Sequence, residues 1–378
     1  MSKLYCHLPW TEMHVSSDTD VSPCCLFKEP YSGSPAEYLD SDFLNSIKKQ
    51  MLDNIPPKNC SACSIAEAKN GHSFRMLHNN FRPDLIETVL TNPTKNYIEN
   101  ISVVTSNICN LKCLPCCDGP SYTRMVELKK LNLIKYTPVI QTISDNFVDK
   151  LQHVNFKKLT VLGGEPFYDR HCMALLTTLV ENKRSNDIDL DINTNCTFLD
   201  EKIIEYLSNN FKFVQIKASI DGVGIVNDYL RYPSNWVTIE KSLKALQNYE
   251  NINTIVTTAL SNLALIKYYD VIEWAVDFGI RDLFLTPVSA PNQLSVVNLP
   301  RDIKQSLEKK YLKLKEKHLA SNTLSERTLF CVDTAINTCR ETTDYDMLPT
   351  LEWLSKHDKL RNTNCFDVFH ELIDYAKT

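Results

Sequence analysis

Residues 98–295 predict an α/β fold of repeated strand–helix units around a parallel sheet. Three observations carry this. Six short segments rich in β-branched and aromatic residues are separated by stretches whose apolar residues recur at helical spacing. Glycine is scarce, eight in 378 residues, and four of the eight (Gly163, Gly164, Gly222, Gly224) fall beside the ends of these strands. The flanks read differently: residues 1–97 are rich in cysteine and turn formers, and residues 296–378 are helical. The expected domains are therefore 1–97, 98–295 and 296–378.

The strands are expected at Ile101–Thr105, Leu159–Leu162, Ile188–Asn193, Phe213–Ile220, Asn253–Thr258 and Leu283–Val288. The helices between them show apolar stripes: Met173, Leu176 and Val180; Ile239, Leu243 and Leu246; Leu265, Tyr269, Ile272 and Val276. These stripes read as core packing. Gly279 follows the last as a C-cap. Beyond the barrel-like segment, Ile303, Leu307 and Leu314 mark a helix whose lysines, Lys304–Lys317, alternate with Glu308 and Glu316. That pattern reads as a solvated face and not as an RNA site. Further helical stretches follow at 351–354 and 366–375.

Hydrophobic content of 43% and charged content of 23% describe an ordinary globular chain. Net charge is −5, so no overall basic field draws it to nucleic acid or to an anionic membrane. No apolar run is long enough to span a bilayer, and nothing after Met1 reads as a signal peptide. The expected compartment is the cytoplasm, where fourteen cysteines serve as metal ligands or buried thiols before disulfides.

Cys109, Cys113 and Cys116 stand in TSNICNLKCLPCC at C-x3-C-x2-C spacing. Three thiolates in one short loop hold three corners of a four-iron cluster and leave one iron open, which suits catalysis. Cys117 is adjacent but outside the spacing and reads as a plain thiol. Some fifty residues on, a strand runs into Gly163-Gly164-Glu165-Pro166. Two later strand ends carry small polar residues: Asp191 to Asn195, and Lys217 to Gly222. All these lie at the carboxyl edge, where parallel α/β sheets bind ligands.

TSNICNLKC-x2-C followed by GGEP resembles the radical S-adenosylmethionine (SAM) enzymes. The resemblance implies a partial (β/α)6 TIM-type barrel, with a [4Fe-4S] cluster on Cys109, Cys113 and Cys116 binding SAM at its open iron. One electron would cleave SAM to a 5′-deoxyadenosyl radical that abstracts hydrogen from substrate. It implies that Gly163, Gly164 and Glu165 contact the SAM amino group, and that Thr194, Asn195 and Ser219 contact its ribose and carboxylate. Arg231, in NDYLRYP, matches an arginine that would fork onto the SAM carboxylate, with a surface ion pair as the plainer alternative. Asp221 would orient that loop. Two departures stand out: Pro115 occupies a place that is often aromatic, and Cys196 one that is often glycine.

The N-terminal cysteines lie in CHLPW, VSPCC and CSAC. NCSACSIAEAKNGHSFR resembles a stretch of radical SAM proteins with a twitch or SPASM-like module. The preferred ligands are Cys6, Cys24, Cys60 and Cys63, holding an auxiliary [4Fe-4S] cluster. Cys25 replaces Cys24 in one alternative, and structural zinc replaces iron in another. His7, His14 and His72 lie near these cysteines and read as packing or surface residues. Cys172, Cys196, Cys331, Cys339 and Cys365 lack ligand spacing and read as small buried hydrophobes. HDKLRNTNCFDVFHEL resembles the closing segment of twitch-type relatives, so the C-terminal helices are expected to cover the barrel mouth or bottom.

The expected function is hydrogen abstraction from a peptide, sugar or small metabolite, with net oxidation through the auxiliary cluster. A ferredoxin- or flavodoxin-like donor would supply the electron. The rivals are an epimerase or isomerase with a structural auxiliary site, and a non-catalytic metal-binding protein. A nucleic-acid modifying role draws no support from the acidic balance.

Overall fold

The computed structural model describes residues 4–70, 73–116, 119–151 and 154–376, with the side chains of residues 69 and 70 left out. His72 and Cys117 lie outside the described residues. Nine strands are present among them: β1 (Glu12–Ser17), β2 (Asp20–Ser22), β3 (Tyr31–Ser32), β4 (Asn100–Val104), β5 (Lys158–Leu162), β6 (Asp189–Thr194), β7 (Phe213–Ser219), β8 (Ile252–Leu260) and β9 (Leu283–Pro287). The last six are the expected strands, with ends moved by no more than about two residues, the usual uncertainty of a strand boundary. The chain forms two compact units. One comprises Met1–Ser106, Gln141–Ile192 and Asn210–Phe213; the other comprises Asn107–Ile140, Asn193–Asn209 and Val214–Thr378.

In the first unit β4, β5 and β6 pair in parallel. β1 adds to them, parallel to β4, and carries β2 and β3 as antiparallel neighbours. Register explains why β1 belongs there. Met13, Ile101, Leu159 and Leu190 form one row across four strands, and Val15, Val103, Val161 and Ile192 form another. Every one of these side chains is fully buried. The opposite face is polar, because successive strand residues point to opposite sides. His14, Ser102, Thr160 and Asp191 make a row there. His14 Nδ1 and Ser102 Oγ share a hydrogen bond of 2.8 Å, and Lys158 pairs with Asp191 at 2.7 Å. Sequence reasoning missed β1 because its alternation runs only through Met13–Val15, flanked by polar residues.

In the second unit β7, β8 and β9 are again parallel. Ser261 caps the helix Asn262–Phe278, and Gly279, at φ 87°, closes it in the left-handed conformation that glycine tolerates. The buried stripe on this helix is Leu265, Tyr268, Ile272 and Ala275. Tyr269 and Val276 are only half-buried, so the expected face is rotated by about one residue. Arg170–Glu181 shows the same offset, burying Cys172, Leu175, Leu176 and Leu179. Both helices have apolar residues on adjacent positions, and packing chooses between two faces that periodicity alone leaves equal.

The C-terminal helices cover the edge strand β9. Thr328, fully buried in Glu326–Cys339, accepts the Leu283 N–H at 2.9 Å and donates to the Arg281 carbonyl at 2.8 Å. This occupies edge groups that would otherwise be open to pairing. Lys304 departs from the expected solvated face. It is buried, and its ammonium donates to the Thr343 carbonyl and hydroxyl and to the Glu341 carbonyl. Lys309, Lys310, Lys313 and Lys317 are exposed, as expected. No described helix is long and apolar enough to cross a membrane.

Two imidazoles give the fold a pH dependence. Burial pushes His14 down to about 4, and burial followed by the nearby Arg124 charge does the same to His357. Below the ordinary value of 6.5 the unfolded chain binds protons on both, while the folded chain stays neutral to about 4. Stability therefore falls as pH drops through that window, by about 1.4 kcal/mol per pH unit per imidazole. Urea midpoints measured at pH values across the window would show this slope, and His14→Asn should remove about 1.4 kcal/mol per pH unit of it. An unchanged slope in that variant would place its source elsewhere.

Candidate functional site

The loop from Asn107 to Cys116 is irregular, so its backbone groups need partners from outside it. In the second unit they are found. The Asn107 carbonyl accepts the Tyr122 N–H at 2.7 Å, and the Cys109 carbonyl accepts the Thr123 hydroxyl. The Leu111 carbonyl accepts the Ser121 hydroxyl at 3.1 Å. The Lys112 and Leu114 N–H groups donate to the Tyr232 and Leu230 carbonyls at 2.6 and 2.7 Å. Their own carbonyls take guanidinium donors, from Arg361 for Lys112 and from Arg124, at 3.3 Å, for Leu114.

One carboxylate organises both arginines. Glu127, in the helix Tyr122–Lys130, accepts from Arg361 Nε at 2.8 Å and Nη2 at 2.7 Å, and also from Arg124 Nη1. All three side chains are 3% exposed or less. Arg361 also lies over the Tyr232 ring at 5.0 Å. Arg361 is 249 residues from Lys112, and the only sequence signal near it was the resemblance of its segment.

The three thiols sit in a sulfur-friendly setting. Cys109 is buried and its Sγ accepts the Leu111 N–H at 3.4 Å. Cys113 Sγ is 3.7 Å from Arg231 Nη1. Burial pushes the Cys113 thiol up, and the Arg231, Arg361 and Arg124 charges pull the other way. The Leu114-Pro115 turn closes through the Cys116 N–H and the Cys113 carbonyl at 3.2 Å, so the donor that proline lacks is not required. N–H groups aimed at sulfur and nearby cations are what a thiolate-held cluster uses, so these residues fit one.

The strand-end residues divide by role. Asn195 is buried, and its amide donates to Asn110 Oδ1 at 2.9 Å and accepts the Thr197 N–H at 2.9 Å. Asn110 in turn donates to Thr197 Oγ1 at 3.0 Å. Asn195 thus braces the cysteine loop, a link that neither Asn110 nor Thr197 signalled in sequence. Thr194 Oγ1 accepts the Cys196 N–H at 3.0 Å, and Cys196 takes φ 61°, the glycine-like conformation. Ser219 ends β7 and is half-buried. Arg231 Nε lies 3.0 Å from the fully buried Asp221, whose Oδ1 accepts the Ala259 N–H at 2.8 Å. Burial opposes the Arg231 charge, but Asp221 and the three thiols outweigh it and hold the guanidinium firmly protonated. Arg231 is thus in an ion pair, as the plainer alternative had it, but with a fully buried partner and not at the surface.

GGEP belongs to the first unit. A Cβ on Gly163 would meet the Ser106 carbonyl at 2.8 Å, so only glycine fits, and the Gly164 N–H donates to that carbonyl at 2.7 Å. Glu165 is buried and accepts the Phe167 N–H at 3.4 Å.

The first unit also holds a cavity with about 400 Å³ of empty space, mouth included. Cys6, Cys24, Cys60 and Cys63 all line it. Cys25 does not line it and is exposed. Burial, reinforced by Cys60 and Cys63, pushes Cys24 up to about 12, and burial with Cys63 pushes Cys60 to about 11. Burial and the other three thiols raise Cys6 as well. Three thiols this desolvated become thiolates only around a cation, and with Cys63 on the same wall the set suits a metal centre. Among the described residues no group of three or more His, Cys, Asp or Glu side chains is close enough to hold a metal ion as placed. His7 and His14 are packed: His7 Nδ1 bonds Thr11 Oγ1 at 2.8 Å, and His14 bonds Ser102. Cys172, Cys196, Cys331, Cys339 and Cys365 are buried, as small hydrophobes are.

Residues 103–275 match the family model of the Radical SAM superfamily. The Radical SAM cyclopropyl synthase TigE of Paramaledivibacter caminithermalis is 24% identical over 255 residues, which is 65% of this chain and 50% of that protein. Among solved structures, anSMEcpe with bound AdoMet shows 15% identity and a TM-score of 0.44, covering 60% of this chain and 62% of that one. Streptococcus suis SuiB bound to its precursor peptide SuiA shows 12% identity and a TM-score of 0.43, covering 73% and 60%. The chain thus spans half the length of the curated relative it matches.

Glu127 is the residue on which the loop's anchorage is expected to depend. Glu127→Ala leaves two buried guanidiniums without their shared carboxylate, and should cost about 3–5 kcal/mol. Chemical denaturation of the metal-free protein would measure it, with Glu127→Gln expected to lie between. A cost under about 1 kcal/mol would mean that the arginines find other partners.

Proposed function

Because residues 103–275 match the radical SAM family model, we propose that this chain is a radical SAM oxidoreductase with two iron–sulfur centres. That superfamily uses a [4Fe-4S] cluster and SAM, which together supply a 5′-deoxyadenosyl radical for hydrogen abstraction. In this reading Cys109, Cys113 and Cys116 hold the SAM cluster.

The chain's own residues then have separable tasks. Gly163 and Gly164 present backbone to the SAM amino group, and Glu165 supplies a carboxylate acceptor for an ammonium. Arg231, held by Asp221, offers a fixed guanidinium to the SAM carboxylate. Thr194 and Ser219 contact the remaining polar groups of SAM. Asn195 holds the cysteine loop at Asn110.

The observation that carries the second centre is the single cavity lined by Cys6, Cys24, Cys60 and Cys63. It favours Cys24 over Cys25 as ligand. A fully ligated cluster has no open iron, so it serves as an electron acceptor and not as a second SAM site. That assigns net oxidation. The 24%-identical relative is a cyclopropyl synthase, and making one C–C bond from two C–H bonds releases two protons and two electrons. The substrate is a peptide, sugar or small metabolite with an unactivated C–H bond, and a ferredoxin- or flavodoxin-like protein is the electron donor.

Iron, sulfide and zinc content after anaerobic reconstitution test this reading. Wild type should hold about eight irons, falling to about four in a Cys109/Cys113/Cys116→Ala triple variant. Reductive cleavage of SAM to methionine and 5′-deoxyadenosine should vanish in the same variant. About four irons falling to none, with one zinc retained, would instead make the N-terminal site structural and favour an isomerase.

A further inference from the structure

The wall of the four-cysteine cavity carries a charge. Arg75, in the helix Phe74–Phe81, lines it beside Cys60 and Cys63, and it is the charged residue among the described lining residues. Its head is fixed on three sides. Nη1 donates to the Tyr5 carbonyl at 2.9 Å, Nη2 meets Glu67 at 2.5 Å, and the guanidinium lies 3.9 Å over the Tyr5 ring. Glu67 is itself held by the Ser73 hydroxyl at 2.5 Å. Nε is buried and has no hydrogen-bond partner among the described residues. A buried charged donor left unmade is costly, so its placement calls for an acceptor that the protein atoms alone do not supply.

A sulfur-ligated centre in the cavity would supply that acceptor. Four thiolates around a four-iron, four-sulfide core of charge two carry a net double negative charge, and one-electron reduction adds a third. A fixed cation beside such a centre stabilises the reduced state more than the oxidised one and raises its potential. A carboxylate beside the cation works against it. We propose that Arg75 is the charge-compensating hydrogen-bond donor to the metal centre of Cys6, Cys24, Cys60 and Cys63, and that the Arg75–Glu67 pair sets its reduction potential. The proposal rests on the auxiliary-cluster reading above. It makes Arg75 a positioning and tuning residue and not a ligand.

The experiment is a spectroelectrochemical titration of the auxiliary centre alone, in the full-length chain with the Cys109/Cys113/Cys116→Ala background. Arg75→Met should shift the midpoint potential to more negative values, and Arg75→Lys should shift it less. Glu67→Gln should shift it the opposite way, to more positive values. A residue that only braces the fold would lower thermal stability without producing potential shifts of opposite sign. Should Arg75→Met fail to retain iron, the positive shift of Glu67→Gln carries the test. About four irons with the same potential in Glu67→Gln and in the parent triple variant would overturn the proposal and leave the cluster reading standing. Zinc in place of iron at this site would overturn both, and metal analysis of the same samples separates the two failures.

Discussion

The cysteine loop depends on one buried carboxylate. A loop that must present three thiols cannot spend its backbone on a helix or sheet, so its polar groups are satisfied from a distance. Glu127 makes this workable by holding Arg124 and Arg361 together, each of which then donates to a loop carbonyl. Two guanidiniums out of water beside each other would repel. The shared carboxylate reduces that repulsion, and the carbonyls take up donors it leaves free. The arrangement ties the helix Leu348–Arg361 to a loop 249 residues earlier in the chain. A C-terminal helix that looks like a covering element therefore anchors the cysteine loop.

The two thiol sets share a logic. In each, a guanidinium near sulfur is itself fixed by a carboxylate: Arg231 by Asp221, and Arg75 by Glu67. Fixing matters because arginine has many rotamers, and a cation that wanders contributes little at a defined point. The two pairs differ in depth. Asp221 is fully buried and anchored on Ala259, while Arg75 and Glu67 are each about one-fifth exposed. Water therefore screens the second pair more, which makes it the more adjustable of the two.

Much of this was legible in the chain. The six parallel strands announce themselves through β-branched runs, and the cysteine spacing and Gly163 mark the loop and the strand exit it resembles. What escaped had physical reasons. β1 is recruited by register with β4 and has too little alternation of its own. Helix faces at Arg170–Glu181 and Asn262–Phe278 were decided by packing among adjacent apolar residues. Lys304 follows the spacing of a core position, but its charge disguised it, and three acceptors in the segment after Cys339 explain its burial. Arg361 could not be seen at all, because its partner is 234 residues away and no local pattern encodes that contact.

The strand-end residues show where motif reading stops. Thr194, Asn195 and Ser219 look alike in sequence: small, polar and at one edge. Asn195 nevertheless has both ends of its amide engaged with Asn110 and Thr197, so it bonds protein before it could bond a ligand. Cys196 makes the complementary point. It stands where glycine is often found, and the backbone still adopts φ 61°. The left-handed turn is therefore imposed by its surroundings, including the Thr194 hydroxyl on the Cys196 N–H, and not by glycine's freedom. The geometry that follows β6 is over-determined. That is what a strand end requires if it is to hold the cysteine loop through Asn195 and still leave Thr194 at the sheet's edge.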